Sequence, residues 1–256
     1  MRPFICVICD GLPDRPLKQL GNHTPLEVAK TPNLDQIARD GISGMMHPVD
    51  IGVRPGSDTA HLAIFGYDPA RYYSGRGPYE CAGIGMDLAP GDIAFRANVG
   101  TVDERGIVVD RRAGRIASTA PVVEHLGPIT IDGVEVRLAP GLGHRLGLVL
   151  HGDGLSPEVT EQDPHRTGIP VAVVRPRVDS PAARRTAAIC NQFSHVAMDR
   201  LRALPLNRER AAVGLPAANA ILFRGAGVLP AGLPPFSERY GLRGIMAAGA
   251  PMYRGL

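Results

Sequence analysis

The sequence predicts an α/β protein, a mostly parallel sheet core interrupted by an inserted α+β domain. Three observations carry that expectation. Phe4-Ile5-Cys6-Val7-Ile8-Cys9 is continuously apolar and ends in Asp10-Gly11, as expected of a strand covered on both faces. A helix and a second strand follow in the order that builds parallel sheets. From about Ile84 the texture changes to short alternating segments, and buried-strand runs resume only near residue 220.

The elements can be justified in order. Residues 4–9 form the first strand, and the loop Leu12-Pro13-Asp14-Arg15-Pro16 follows it. Thr31-Pro32-Asn33 opens a helix with Leu34, Ile37 and Ala38 on one face, and Asp40-Gly41 stops it. Residues 42–49 return as a strand. Pro55-Gly56-Ser57 reads as a tight turn opening a short helix that ends at Gly66. Residues 92–102, 107–110, 134–138 and 146–150 read as strands joined by glycine turns; Val134, Val136 and Leu138 alternate with Glu135 and Arg137, the pattern of a half-exposed sheet. Ser180-Pro181 starts a long helix with Ile189, Phe193, Val196, Ala197, Leu201 and Leu204 on one stripe, and Pro205 stops it. Ala220-Ile221-Leu222-Phe223 and residues 244–248 then read as buried parallel strands. The expected organisation is core over 1–84, an inserted cap over 85–215, and a return to the core over 216–256.

Composition bounds the function. The chain has 256 residues, 44% hydrophobic and 21% charged, enough for a sizeable core. A net charge of +3 is too balanced to imply a nucleic-acid surface. No apolar run reaches 18 residues, which argues against a membrane span. The opening MRPFICVICDG has neither a charged leader nor a small-residue cleavage site, so a cytoplasmic protein is expected. Only Lys18 and Lys30 are lysines. A GC-rich genome accounts for that, and arginine also suits bidentate grips on phosphate and carboxylate. Cys6 and Cys9 have C-x-x-C spacing, but no second pair exists, and both read as small hydrophobes of a buried strand.

Several residues could carry chemistry. Asp10 follows a strand at the edge where open α/β sheets place ligands, and could bind a metal, cap a turn, or do both. Ser57 sits at a helix N-terminus, either as a nucleophile at an anion site or as an N-cap. His61 shares its helical face and is a base, a ligand or a structural histidine. Arg112, Arg115, His144, Arg145, Asp163 and His165 lie in punctuated loops of the insert, and Arg224 follows a core strand. Singly each reads as a surface residue; together they could form a pocket for an acidic substrate. Neither G-x-G-x-x-G after a strand nor a P-loop is present, so no nucleotide is expected.

Longer motifs carry a resemblance. Cys9-Asp10-Gly11 with Thr31-Pro32-Asn33-Leu34-Asp35 resembles the opening of the alkaline phosphatase superfamily. Arg54 to His61 (RPGSDTAH), Phe65-Gly66-Tyr67-Asp68-Pro69 and Tyr73-Ser74-Gly75-Arg76-Gly77-Pro78 resemble the archaeal-type 2,3-bisphosphoglycerate-independent phosphoglycerate mutases. So do Gly91-Asp92-Ile93-Ala94-Phe95-Arg96, Asp110-Arg111-Arg112-Ala113-Gly114-Arg115, Gly143-His144-Arg145 and Asp163-Pro164-His165. The resemblance covers nearly the whole chain.

It implies an alkaline-phosphatase-like core with a cap, and interconversion of 3-phosphoglycerate and 2-phosphoglycerate, a step of glycolysis and gluconeogenesis. Ser57 would take the phosphoryl group. Asp10 and Ser57 would both be ligands of the family's two divalent metal ions, manganese first, with magnesium or zinc as substitutes. Arg112, Arg115, Arg145 and Arg224, with His144, Asp163 and His165, would form the substrate pocket. The implied partner is a small phosphorylated hydroxy acid, with no nucleic acid and no membrane. Relatives continue past a segment like Phe236 to Gly244 and carry most metal ligands there, whereas the last histidine here is His195 and the last acid Glu238. An open sheet edge, covered by a second copy or by a C-terminal half, and weak or absent activity of the chain alone are therefore expected. The alternatives are a homoserine kinase-like member, a phosphatase of the superfamily, and a non-catalytic fragment.

Overall fold

The computed structural model describes residues 3–256. The chain divides into two units, Met1–Ser57 and Asp58–Leu256.

The first unit holds a 3-10 turn at Lys18–Leu20 and two helices, α1 (Pro25–Val28) and α2 (Pro32–Asp40). Helix α1 starts on a capping box: the Glu27 N–H donates to Thr24 Oγ1 at 3.2 Å, and the Thr24 N–H donates to Glu27 Oε2 at 2.6 Å. Helix α2 begins with Pro32 and ends before Gly41, as expected, but its apolar face is not buried: Ile37 is 68% exposed. The expected strands at 4–9 and 42–49 do not form. Phe4, Ile5 and Val7 are exposed, as are Cys6 and Cys9, which the sequence placed inside a core strand. The reason is pairing. A strand satisfies its N–H and C=O groups only through a neighbouring strand, and no described segment pairs with either run.

The second unit is organised around an antiparallel sheet. The dividing point falls one residue into α3 (Ser57–Ile64), which is followed by α4 (Pro69–Tyr72) and α5 (Gly77–Gly83). The strands β1 (Ile93–Val102) and β2 (Val108–Asp110) precede α6 (Ala120–Leu126). Then come β3 (Ile129–Ile131), β4 (Val134–Pro140) and β5 (Arg145–His151), the long helix α7 (Pro181–Arg202), α8 (Leu206–Ala212) and β6 (Ala220–Gly227). Short helices α9 (Phe236–Tyr240) and α10 (Pro251–Arg254) close the chain. The sheet order is β2-β1-β5-β4-β3, with β6 also pairing β1, and every pairing is antiparallel.

Two expectations are corrected here. The segment Ala220 to Phe223 is a strand, but it runs antiparallel to β1 and belongs to the same sheet as the strands of the expected insert. The run 244–248 forms no strand, and Ile245 is exposed. An apolar run shows that a strand will be buried, but its direction is set by its neighbour.

The core lies between the sheet and α7. Ser180 caps that helix by accepting from the Ala183 N–H, and Pro181 occupies its first turn. Its buried stripe is the expected one, with Ile189, Phe193, Ala197 and Leu201 each at most 1% exposed. Phe95 on β1 meets Phe223 on β6 edge-on at 5.3 Å, and Phe193 of α7 meets Phe223 at 6.0 Å. On β1 the residues Ile93, Phe95, Ala97 and Val99 all enter this core. The alternation of a strand therefore turns Arg96 and Asn98 to the other face, where both are nevertheless buried.

Candidate functional site

In the first unit, the two residues read as a metal-ligand pair meet. The Ser57 hydroxyl donates to Asp10 Oδ2 at 3.0 Å, across 47 residues of chain. Asp10 opens a turn in which Gly11 has φ +78°, a conformation that favours glycine. A carboxylate accepting a serine proton is the arrangement of a base and a nucleophile. It is also one carboxylate and one hydroxyl, and among the described residues no group of three or more His, Cys, Asp or Glu side chains could hold a metal ion. Two divalent ions need more donors than that, so the residues present do not fit a two-metal centre.

His61 is 6% exposed and packs at 4.5 Å on the Tyr253 ring. Its neighbour Asp58 accepts from Tyr73 at 2.5 Å and from Arg76 at 3.1 Å. Burial alone would raise the Asp58 carboxyl, but those partners hold it below the usual range.

The second unit carries a cavity of about 300 Å³ lined almost wholly by cationic and polar groups. Its floor is the sheet. Arg96 of β1 lies opposite Arg224 of β6, and Asn98 of β1 lies opposite Arg145 of β5. One wall is the segment after β2. Asp110 accepts from the Arg112 N–H at 2.7 Å and the Gly114 N–H at 3.0 Å, which folds Arg111, Arg112 and Arg115 over the floor. Gly114 has φ +61°, and a Cβ there would lie 3.0 Å from the Pro216 ring, so glycine is required on both counts. His144 and His165 complete the lining.

Ion pairs hold this cationic wall in place. Asp163 is fully buried at its side chain and accepts from Arg111 Nε at 2.8 Å and Nη2 at 2.7 Å, and from Arg224 Nη1 at 2.7 Å. Burial would raise its pKa, but the Arg111 bonds, the His165 N–H and the two guanidinium charges keep it below the ordinary carboxylate range. The loop is fastened to β6 as well. The Gln162 and Asp163 N–H groups both donate to the Phe223 carbonyl at 3.1 Å, and Gln162 Nε2 donates to Ser194 at 2.8 Å. Glu161 accepts from the Gly225 N–H at 3.1 Å and pairs with His165, whose own φ is +61°. Behind the floor, Glu80 lies 3.3 Å from Arg96, with both side chains nearly buried. Burial, reinforced by Arg224, Arg145 and Arg76, lowers the Arg96 pKa to about 10 against the pull of Glu80. Arg112, Arg115 and Arg145 have no carboxylate within ion-pairing distance among the described residues. His144 responds to this field: burial first, then Arg145, Arg112, Arg96 and Arg115, push its pKa down to about 4.

The pocket is therefore built for an anion. Arg112, Arg115, His144, Arg145, His165 and Arg224, all singled out in the sequence, line it. Asp163 does not; it sits behind the wall as the counter-charge of Arg111 and Arg224. Arg96, Asn98 and Arg111 were missed. The available signal was polar residues at alternate positions of the apolar run IAFRANV, and the second arginine of the Arg111-Arg112 pair.

The chain matches the family described as 2,3-bisphosphoglycerate-independent phosphoglycerate mutase over residues 38–207. It is 48% identical over 260 aligned positions to 2,3-bisphosphoglycerate-independent phosphoglycerate mutase 1 of Methanocaldococcus jannaschii, covering 100% of this chain and 62% of that protein. It is 47% identical to the enzyme of that name from Methanopyrus kandleri, again over 100% of this chain and 62% of the relative. Among solved structures, the cofactor-independent phosphoglycerate mutase from Thermoplasma acidophilum superposes with a TM-score of 0.63 at 40% identity, covering 96% of this chain and 64% of that one. The chain thus spans about 62% of the length of the curated relatives it matches.

Proposed function

This chain belongs to the 2,3-bisphosphoglycerate-independent phosphoglycerate mutase family, and we propose that it carries the serine nucleophile and the anion grip of an isomerase interconverting 3-phosphoglycerate and 2-phosphoglycerate. The observation that carries this reading is the arginine-lined cavity, with Arg111 and Arg224 clamped by a buried aspartate.

The chemistry follows from the residues. Guanidinium groups bind phosphate and carboxylate through paired N–H donors, and six of them surround one small cavity. Arg112, Arg115, Arg145 and Arg224 hold the two anionic ends of the substrate. The phosphoryl acceptor of this reading is Ser57, whose hydroxyl already donates to Asp10. As the bond from phosphorus to Ser57 Oγ forms, the bond from phosphorus to O3 breaks, and the hydroxyl proton passes through Asp10 to O3. In the second half, O2 attacks the phosphoserine, and its proton passes through Asp10 back to the Ser57 oxygen. Charge on the moving phosphoryl group is spread over its oxygens, so preset cations favour the transfer. His144, held neutral by its burial and then by its cationic neighbours, can share a hydrogen bond without adding repulsion.

Metals enter this reading only by resemblance. Manganese is the first choice, but Asp10 and Ser57 supply too few donors to hold two ions. The same shortage favours a second reading in which this chain binds the phosphorylated acid without turning it over. We place the protein in the cytoplasm with its substrate. Among the described residues no helix is long and apolar enough to cross a membrane. The test is incubation with 3-phosphoglycerate and manganese, followed by assay of 2-phosphoglycerate and mass analysis of the peptide bearing Ser57. Turnover with a phosphoryl group on Ser57, both lost in Ser57→Ala, supports the mutase reading; binding without either supports the second; absence of binding contradicts both.

A further inference from the structure

The floor of the cavity contains one group that an all-anion ligand does not explain. Asn98 lines the pocket, is 4% exposed, and its Oδ1 is buried with no hydrogen-bond partner. It is an acceptor surrounded by guanidinium donors, yet none of them donates to it. Its strand fixes its direction: Ala97 and Val99 on either side enter the hydrophobic core, so Asn98 faces the pocket with Arg96. Across β1 it is flanked by Arg145 on β5 and Leu222 on β6. A buried acceptor left without a donor is unfavourable, and in native proteins such groups are satisfied by water or ligand.

We propose that Asn98 is a specificity-determining residue of this pocket, accepting a hydrogen bond from a hydroxyl of the bound anion, so that the site takes hydroxylated acids in preference to their deoxy counterparts. The inference rests on the reading of the cavity as the phosphoglycerate site and deepens it. Phosphate and carboxylate oxygens are acceptors and are answered by the arginines. Only a donor on the ligand answers Asn98 Oδ1, and in a phosphoglycerate that donor is the unphosphorylated hydroxyl. Sites that read a hydroxyl through a buried polar group discriminate against analogues lacking it, because the group is then left unpaired.

The test compares, by calorimetry, binding of 3-phosphoglycerate with that of 3-phosphooxypropionate, the same molecule without its 2-hydroxyl. The wild-type protein is expected to prefer the hydroxylated ligand by about tenfold or more. Asn98→Ala should bring the two affinities together. Asn98→Asp, which keeps an acceptor, should retain the preference while weakening both ligands, because it adds a negative charge. Asn98→Leu gives the same reading as alanine should that variant fail to fold. Equal affinities in the wild type overturn the proposal while leaving the phosphoglycerate site standing. A preference that persists in Asn98→Ala or Asn98→Leu places the hydroxyl contact elsewhere and overturns it too. Failure of the wild type to bind either ligand removes both this proposal and the site reading beneath it.

Discussion

Two apolar runs of similar character meet opposite fates in this chain. Residues 4–9 are as hydrophobic as any strand, yet Phe4 is 86% exposed and no strand forms. β1, with Arg96 and Asn98 inside it, is the less apolar of the two, and every one of its ten residues is buried. The difference is company. β1 pairs with β5 along one run and with β6 along another, and its core face packs under α7. Among the described residues the first run has no strand beside it. Hydrophobicity makes burial favourable, but strand structure needs a partner to complete the hydrogen bonds.

The comparison can be broken in four ways. The largest expected effect is in hydrogen exchange. Amides of β1, β5 and β6 should be protected by at least about a thousandfold, on the scale of global stability, and those of residues 4–9 and 42–49 hardly at all. Comparable protection in the two regions would show that the first run is paired after all. Second, Phe95→Ala should cost about 3–5 kcal/mol in denaturant unfolding. Phe4→Ala, at an exposed site, should stay within about 0.5 kcal/mol.

Third, Asp163→Asn should cost about 3–5 kcal/mol, because it leaves Arg111 and Arg224 without their buried counter-charge. An unchanged unfolding midpoint would show that the clamp is not structural. Wild-type Asp163 also sets a pH dependence. Its depressed pKa gives stability that is present above the ordinary carboxylate pKa and lost as pH falls through its folded value.

The smallest effect concerns His144. Its ordinary pKa is 6.5 and its folded value about 4, so between those pH values the unfolded chain binds more protons and stability falls as pH drops. Above pH 6.5 this contribution is flat. An anion in the pocket offsets the arginine charges and raises the His144 pKa, so binding should take up protons inside that window. Calorimetry in buffers of different ionisation enthalpy measures the uptake, and His144→Gln should abolish it.

What was legible follows the same division. The long helix was readable because its cap, its proline and its stripe from Ile189 to Leu201 agree with one another. The strands of the second unit were readable from alternation, as in Val134, Val136 and Leu138. The direction of β6 was not, because Ala220 to Phe223 looks the same in a parallel and an antiparallel sheet. In the pocket, Arg112, Arg115 and His144 were singled out from their motifs, whereas Arg111 stands in the same motif as Arg112 and was passed over. Arg96 was named only as the end of a motif, and Asn98 was hidden inside a strand read for its apolar residues. Asp163 was found but read as a substrate contact, since a sequence cannot show that two arginines already occupy its carboxylate.

The central claim is that the arginine cavity grips a phosphorylated hydroxy acid. Its most direct test is calorimetric titration of 3-phosphoglycerate into the wild type and into Arg112→Ala and Arg145→Ala, each at low and high salt. The account predicts one ligand per chain, weakened by salt, with each substitution reducing affinity by about tenfold or more while the protein remains folded. Saturable binding that neither substitution alters, or no binding by the wild type, would contradict it.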